Sequence, residues 1–92
     1  MQKPMSPGAT LPFEFDWRPW LEGAAVASFA VTQEGNLTIN TQGNASGLIT
    51  TSVTLSSMAR EGSRSYIICR VTTNDTPART DTRRIEVVAS KR

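Results

Sequence analysis

The stretch that most constrains this chain is LITTSVTLSS, residues 48–57, in which Ile49, Thr51, Val53 and Leu55 alternate with threonine and serine. A two-residue period of this kind has no use for a helix, whose apolar positions recur every three to four residues. It describes a half-buried strand with one face toward a core and the other toward water. The same signal recurs along the chain. AAVASFAV puts Ala25, Ala27, Phe29 and Val31 on one side and Ser28 and Thr32 on the other, before Glu34-Gly35-Asn36 turns the chain. NLTIN reads as a short strand with Leu37 and Ile39 inward, and the TQGNASG that follows is turn-rich. SRSYIICRVTT is a strand of ambiguous phase, because Ile67, Cys69 and Val71 share one face while Tyr66 and Ile68 share the other. Either both faces are partly covered or a bulge after the tyrosine changes the inward side. ARTDTRRIEVVAS closes the series, with Ile85 and Val87 inward and Arg84 and Glu86 toward solvent. Five or six strands with turns between them predict an all-β fold, most economically an antiparallel β-sandwich.

Two segments depart from that pattern. MQKPMSPGATLP, residues 1–12, holds three prolines and few apolar groups, which predicts an N-terminal arm without secondary structure of its own, disordered or ordered by a neighbour. WRPWLEG allows one helical turn, with Asp16 placed to cap it and Pro19 tolerated inside its start. At 92 residues the chain has room for one domain, expected over residues 13–90.

The residue inventory excludes most chemistry. Histidine is absent, so the usual general base near neutral pH is missing. No serine sits in a G-x-S-x-G elbow, and Gly43 and Gly47 lack the Lys-Ser/Thr of a phosphate loop. A lone cysteine, Cys69, permits neither an intrachain disulfide nor a cysteine-based zinc cluster, and in its apolar strand reads as a small buried hydrophobe. The reading is therefore a non-enzyme without cofactor or metal. No basic-apolar-small segment follows Met1 and no apolar run approaches a membrane span, so synthesis and retention in a cytosol are expected, with no membrane contact. The Asn-x-Ser/Thr triplets at Asn36, Asn44 and Asn74 then read as by-products of composition. Net charge is only +2, but residues 1–59 carry two basic and four acidic groups and residues 60–92 eight and four. That dipole could orient head-to-tail copies or meet an acidic surface, or be a solvated face of alternating charge. DNA contact through Arg79, Arg83 and Arg84 is disfavoured because the basic stripe lacks stacking aromatics.

Trp17 and Trp20 are the most distinctive pair. Three residues apart, both could close the core, or Trp20 and Leu21 could plug it with Trp17 outside. The expected core is Trp20, Leu21, Phe29, Val53, Leu55, Tyr66, Cys69, Val71, Ile85 and Val87. The expected partner contacts are Pro4, Pro7, Pro12, Phe13, Trp17, Arg79, Asp81, Arg83 and Arg84. Tyr66, four residues after Gly62, has the spacing of the tyrosine corner of immunoglobulin-like domains.

The order of these features, FDWRPWLEG, then apolar strands, LITTSVTLSS, Gly62-x-x-x-Tyr66, RVTT and ARTDTRRIEVV, resembles a family of small phage structural proteins often described as phage fibre proteins. Asp16, Trp17, Trp20, Leu21, Gly23, Gly62, Tyr66, Thr72, Arg79 and Asp81 match its recurrent positions, whereas Thr76-Pro77-Ala78 stands where a glycine is usual. The resemblance spans about residues 13–88 and implies a small immunoglobulin-like sandwich that decorates or attaches to the head, neck or fibre of a tailed-phage virion. It implies partners such as major capsid or connector subunits, a homo-oligomer in the particle, and synthesis in the cytoplasm of a bacterial host. The competing readings are a host-surface polysaccharide adhesion module, which needs exposed rings, and a DNA-contacting connector or completion protein.

Overall fold

In the computed structural model, which describes residues 2–90, the alternation of LITTSVTLSS becomes β5 (Leu48–Leu55), with Ile49, Thr51, Val53 and Leu55 buried. Around it the chain runs β1 (Gln2–Met5), β2 (Thr10–Asp16), a single helical turn α1 (Arg18–Leu21), β3 (Val26–Glu34), β4 (Leu37–Ala45), β6 (Arg64–Thr73) and β7 (Thr80–Ala89). The protein is all-β apart from α1. The strands form a four-stranded sheet of order β1-β7-β6-β3 and a three-stranded sheet of order β2-β5-β4. Every pairing is antiparallel except β1 with β7, which is parallel.

Both sheets feed one hydrophobic cluster. The three-stranded sheet contributes Phe13, Phe15, Leu37, Ile49, Val53 and Leu55; the four-stranded sheet contributes Met5, Val31, Ile67, Cys69, Val71, Ile85, Val87 and Ala89. Each fully buried Val, Leu or Ile stabilises the fold by about 1.5–3 kcal/mol relative to exposure. Two hydroxyls inside the core are satisfied: Thr51 Oγ1 donates to the Thr41 carbonyl at 2.7 Å, and Ser65 Oγ accepts the Asn36 N–H at 3.0 Å.

Several sequence expectations are corrected. Residues 1–12 contain β1 and the start of β2, and Met5 is 2% exposed. The prolines do not prevent this because β1 and β2 are edge strands, where a missing N–H costs no ladder bond. The inward phase of β3 is not Ala25-Ala27-Phe29: Ala25 and Ala27 are exposed, while Val26 and Phe29 both pack against the core. A register shift between Val26 and Ser28 inserts the extra residue that allows this. TQGNASG is mostly strand, since β4 continues to Ala45 across a second shift between Ile39 and Thr41. Only Ser46 and Gly47 turn, with φ of 51° and 96°, the two positive values of a tight hairpin turn. β6 keeps one register with β7 throughout, burying Ser65, Ile67, Cys69, Val71 and Thr73 and half-burying Tyr66 and Ile68; no bulge follows the tyrosine.

The tryptophans are also reversed. Trp17, expected outside, is 0% exposed, and Phe13 is buried; Trp20, Phe29 and Tyr66, expected in the core, are half-buried. Phe13, Phe15 and Trp17 occupy alternate positions, so the strand carries its inward phase straight into the first indole. The helical turn then rotates Trp20 to the rim.

Candidate functional site

The most densely bonded part of the surface is the corner where β2 ends, α1 begins, and the β4–β5 and β6–β7 turns meet. Asp16 opens it. Its Oδ1 accepts the Arg18 backbone N–H at 3.1 Å, an Asx turn that starts the helix without a side-chain bond from the N-cap residue Trp17. The Arg18 guanidinium returns to the same carboxylate through Nε and Nη2, at 2.8 and 2.9 Å. These Arg18 bonds, and the nearby charge of Arg83, hold the Asp16 carboxyl at about 2, below its ordinary 3.8; the same bond to Asp16 raises the Arg18 guanidinium. Because the folded value is depressed, the contribution is complete above 3.8 and is lost as pH falls toward about 2. Thermal midpoints of Asp16→Asn and the parent are expected to differ at neutral pH and converge at the acid end of that window.

Trp17 and Trp20 meet edge to face, centroids 5.2 Å apart and planes at 68°. Each indole carries an arginine. The Arg83 guanidinium lies 4.1 Å from the Trp17 ring centre and donates to the Asp16 carbonyl at 2.9 Å. That of Arg79 lies 5.0 Å from the Trp20 ring centre. Arg79 also donates to the Trp20 carbonyl at 3.0 Å, the Leu21 carbonyl at 2.8 Å and Asp75 Oδ2 at 2.8 Å. The two carbonyls lie at the C-terminal end of α1, which Glu22 ends at φ 52°, and that of Leu21 also accepts the Ala24 N–H at 3.0 Å. One guanidinium thus ties the β6–β7 turn to the helical turn 58 residues earlier. The Trp17 indole N–H, buried beside Cys69, has no partner in hydrogen-bond geometry, and sulfur is at best a weak acceptor. Burial pushes the Cys69 thiol up, opposed more weakly by that indole and by Arg83, so the thiol stays protonated and inert.

Gly47 completes the corner. A Cβ there would lie 2.7 Å from Leu21 Cδ1 and 3.1 Å from Arg18 Cγ, at a φ of +96°. Gly47→Ala is expected to cost about 1–3 kcal/mol through strain and displaced packing, read as a lowered melting temperature.

A family model described as podophage GP4 fiber-tail adaptor protein gp77 matches residues 5–88, which takes in every element of this corner. The chain belongs to that family. Membership makes it a structural accessory protein of a tailed-phage virion, acting through contacts with other virion components and not as an enzyme. No curated protein matches it. No group of three or more His, Cys, Asp or Glu able to hold a metal occurs among the described residues, and no described helix is long and apolar enough to cross a membrane.

For this adaptor-family protein, the expected contact residues divide into two sets. Phe13 and Trp17 are in the core, and Arg79 and Arg83 are committed to intramolecular bonds. Pro4, Pro12, Asp81 and Arg84 are exposed and Pro7 is half-buried. Arg84 lies over Tyr66, 5.1 Å from the ring centre. Among the expected core residues, Leu21, Val53, Leu55, Cys69, Val71, Ile85 and Val87 are buried. Sequence reasoning missed Gln42, whose Oε1 accepts the outward N–H of Val31 at 3.2 Å and so covers part of the β3 edge. The Asp16–Arg18 ion pair is legible in the sequence, where the aspartate stands beside the arginine at a helix start.

Proposed function

We propose that this chain joins a tail fibre to the tail of its phage, as the family description says of the family. The observation that carries the reading is the match over residues 5–88. The body suits the task. It measures 46 × 17 × 17 Å, and β5 leads from the pinned tryptophan corner to the opposite end, where Met58 stands 86% exposed on a turn whose Ser56 Oγ accepts the Met58 N–H. Two chemically different ends on one stiff body fit a protein with two partners. The two sheets, sharing a single core that includes Met5 of β1, are read as the layers of an immunoglobulin-like sandwich.

In this reading the partners are a fibre protein and a connector-type tail subunit, with several copies per particle, and the protein is made in the host cytoplasm before joining the virion. Glycan adhesion lacks a platform, since the exposed large hydrophobics among the described residues are Leu11 and Met58, neither aromatic. DNA contact lacks its arginines, two of which are held inside the corner. Deleting the gene is expected to give particles with tails but without fibres, visible by negative-stain microscopy. Particles that keep their fibres would remove the adaptor reading.

A further inference from the structure

The parallel strand β1 is short, and it leaves part of its neighbour uncovered. Gln2–Met5 pairs with Glu86–Ala89 of β7, so the stretch Thr80–Arg84 has β6 on one side and no strand on the other among the described residues. Ladder parity fixes which backbone groups face that open side. Thr73 N donates to the Arg79 carbonyl, and Ala89 N to the Ser63 carbonyl, so the odd-numbered residues of β7 bond to β6. The even-numbered ones point the other way, as Ser90 N donating to the Met5 carbonyl confirms for the end that β1 covers. Thr80, Thr82 and Arg84 therefore present N–H and C=O groups outward in the line that β1 would follow if it continued.

A groove lined by both apolar and charged side chains accompanies this edge. Two contiguous hollows of about 450 and 330 Å³, both lined by Glu14 and Ile85, run between β2 and the β1–β7 edge. Their apolar walls come from Leu11, Phe13, Phe15 and Ile85, and Leu11 is 39% exposed. Across the groove the β2 edge is the poorer template, because Pro12 has no N–H and the Asp16 carbonyl is already bonded to Arg83. On the β7 edge a single substitute is present: Thr82 N donates to Asp81 Oδ1 at 2.8 Å. A side chain covering a lone edge donor is a common guard against unwanted pairing, and an incoming carbonyl can replace it one for one.

We infer that residues Thr80–Arg84 of β7 are a strand-addition site, occupied in the particle by an extended segment of a virion partner that continues the four-stranded sheet where β1 stops. Backbone bonds to Thr80, Thr82 and Arg84 supply the pairing, and apolar side chains at alternate positions of the segment enter the groove against Leu11 and Ile85. The inference names the partner surface of the adaptor reading and rests on it for the identity of the segment, not for the site.

The test uses Thr82→Pro, which removes an outward N–H without touching a β6 bond, and Thr82→Ala, which keeps it. Each is supplied from a plasmid to gene-deleted phage, and adaptor copies per purified particle are counted by quantitative mass spectrometry. Thr82→Ala is expected at the parental level and Thr82→Pro at least about tenfold lower, with the purified variant melting within about 5 °C of the parent. Parental incorporation of Thr82→Pro overturns the site. If Thr82→Pro melts much lower, a reconstruction of the parental particle decides: extended main-chain density beside Thr80–Arg84 supports the site and solvent there overturns it. Loss of fibres on gene deletion is scored separately, so the adaptor reading and the strand-addition site fail by different results.

Discussion

Trp17→Ala is expected to leave a chain that is largely unfolded at physiological temperature, with a loss of about 3–5 kcal/mol. The indole is 0% exposed and is the largest of the fully buried side chains. Removing it opens a void that Leu21, Cys69 and the β2 phenylalanines cannot fill without moving the helical turn. A domain of this size has only about 5–15 kcal/mol in hand, and each kcal/mol shifts the melting midpoint by about 4–8 °C. Trp20→Ala, at the rim, should cost only about 1–2 kcal/mol. Urea titrations followed by circular dichroism separate the two. Equal midpoints for both variants would mean that the indoles share the core, contrary to the arrangement described.

Arg79→Ala is expected to be the second most damaging change at the corner, at about 2–4 kcal/mol. The guanidinium donates to two backbone carbonyls and one carboxylate while lying over Trp20. The cost comes mainly from the orphaned carbonyl of Trp20 and the lost bond to that of Leu21, which keeps only the Ala24 N–H, since the Asp75 pair is about one-third exposed at each partner and such pairs contribute at most about 1 kcal/mol. Two comparisons identify the cause. Asp75→Asn should cost no more than about 1 kcal/mol, and Arg79→Lys should recover little, because one ammonium cannot span two carbonyls and a carboxylate in the planar fork geometry. Near-complete rescue by lysine would show that charge alone matters there.

Where apolar and hydroxyl residues alternate cleanly, as in β5, the sequence is legible down to the buried face, because the side-chain period of a strand is two and the two faces differ in polarity. β3 is not legible in this way: alanine at positions 24, 25 and 27 suits either face, so nothing local reveals the shift between Val26 and Ser28. β4 hides for another reason. Asn40, Gly43 and Asn44 read as turn residues, but on an edge strand their exposure carries little cost, and pairing with β5 overrides their propensity. The N-terminal segment reads as an arm because composition reports how much apolar area a segment has, not whether a neighbouring strand offers it an edge. At the corner, the alternation Phe13, Phe15, Trp17 was available as a signal for the buried indole. The double engagement of Arg79 was not, because its acceptors are backbone carbonyls 58 and 59 residues away.

This chain is proposed as the link between fibre and tail. A cryo-electron microscopy reconstruction of the intact particle tests that most directly. The predicted result places the chain between the fibre base and a tail subunit, touching both. Density for the chain on the capsid surface, or on the tail with no fibre in contact, would contradict it.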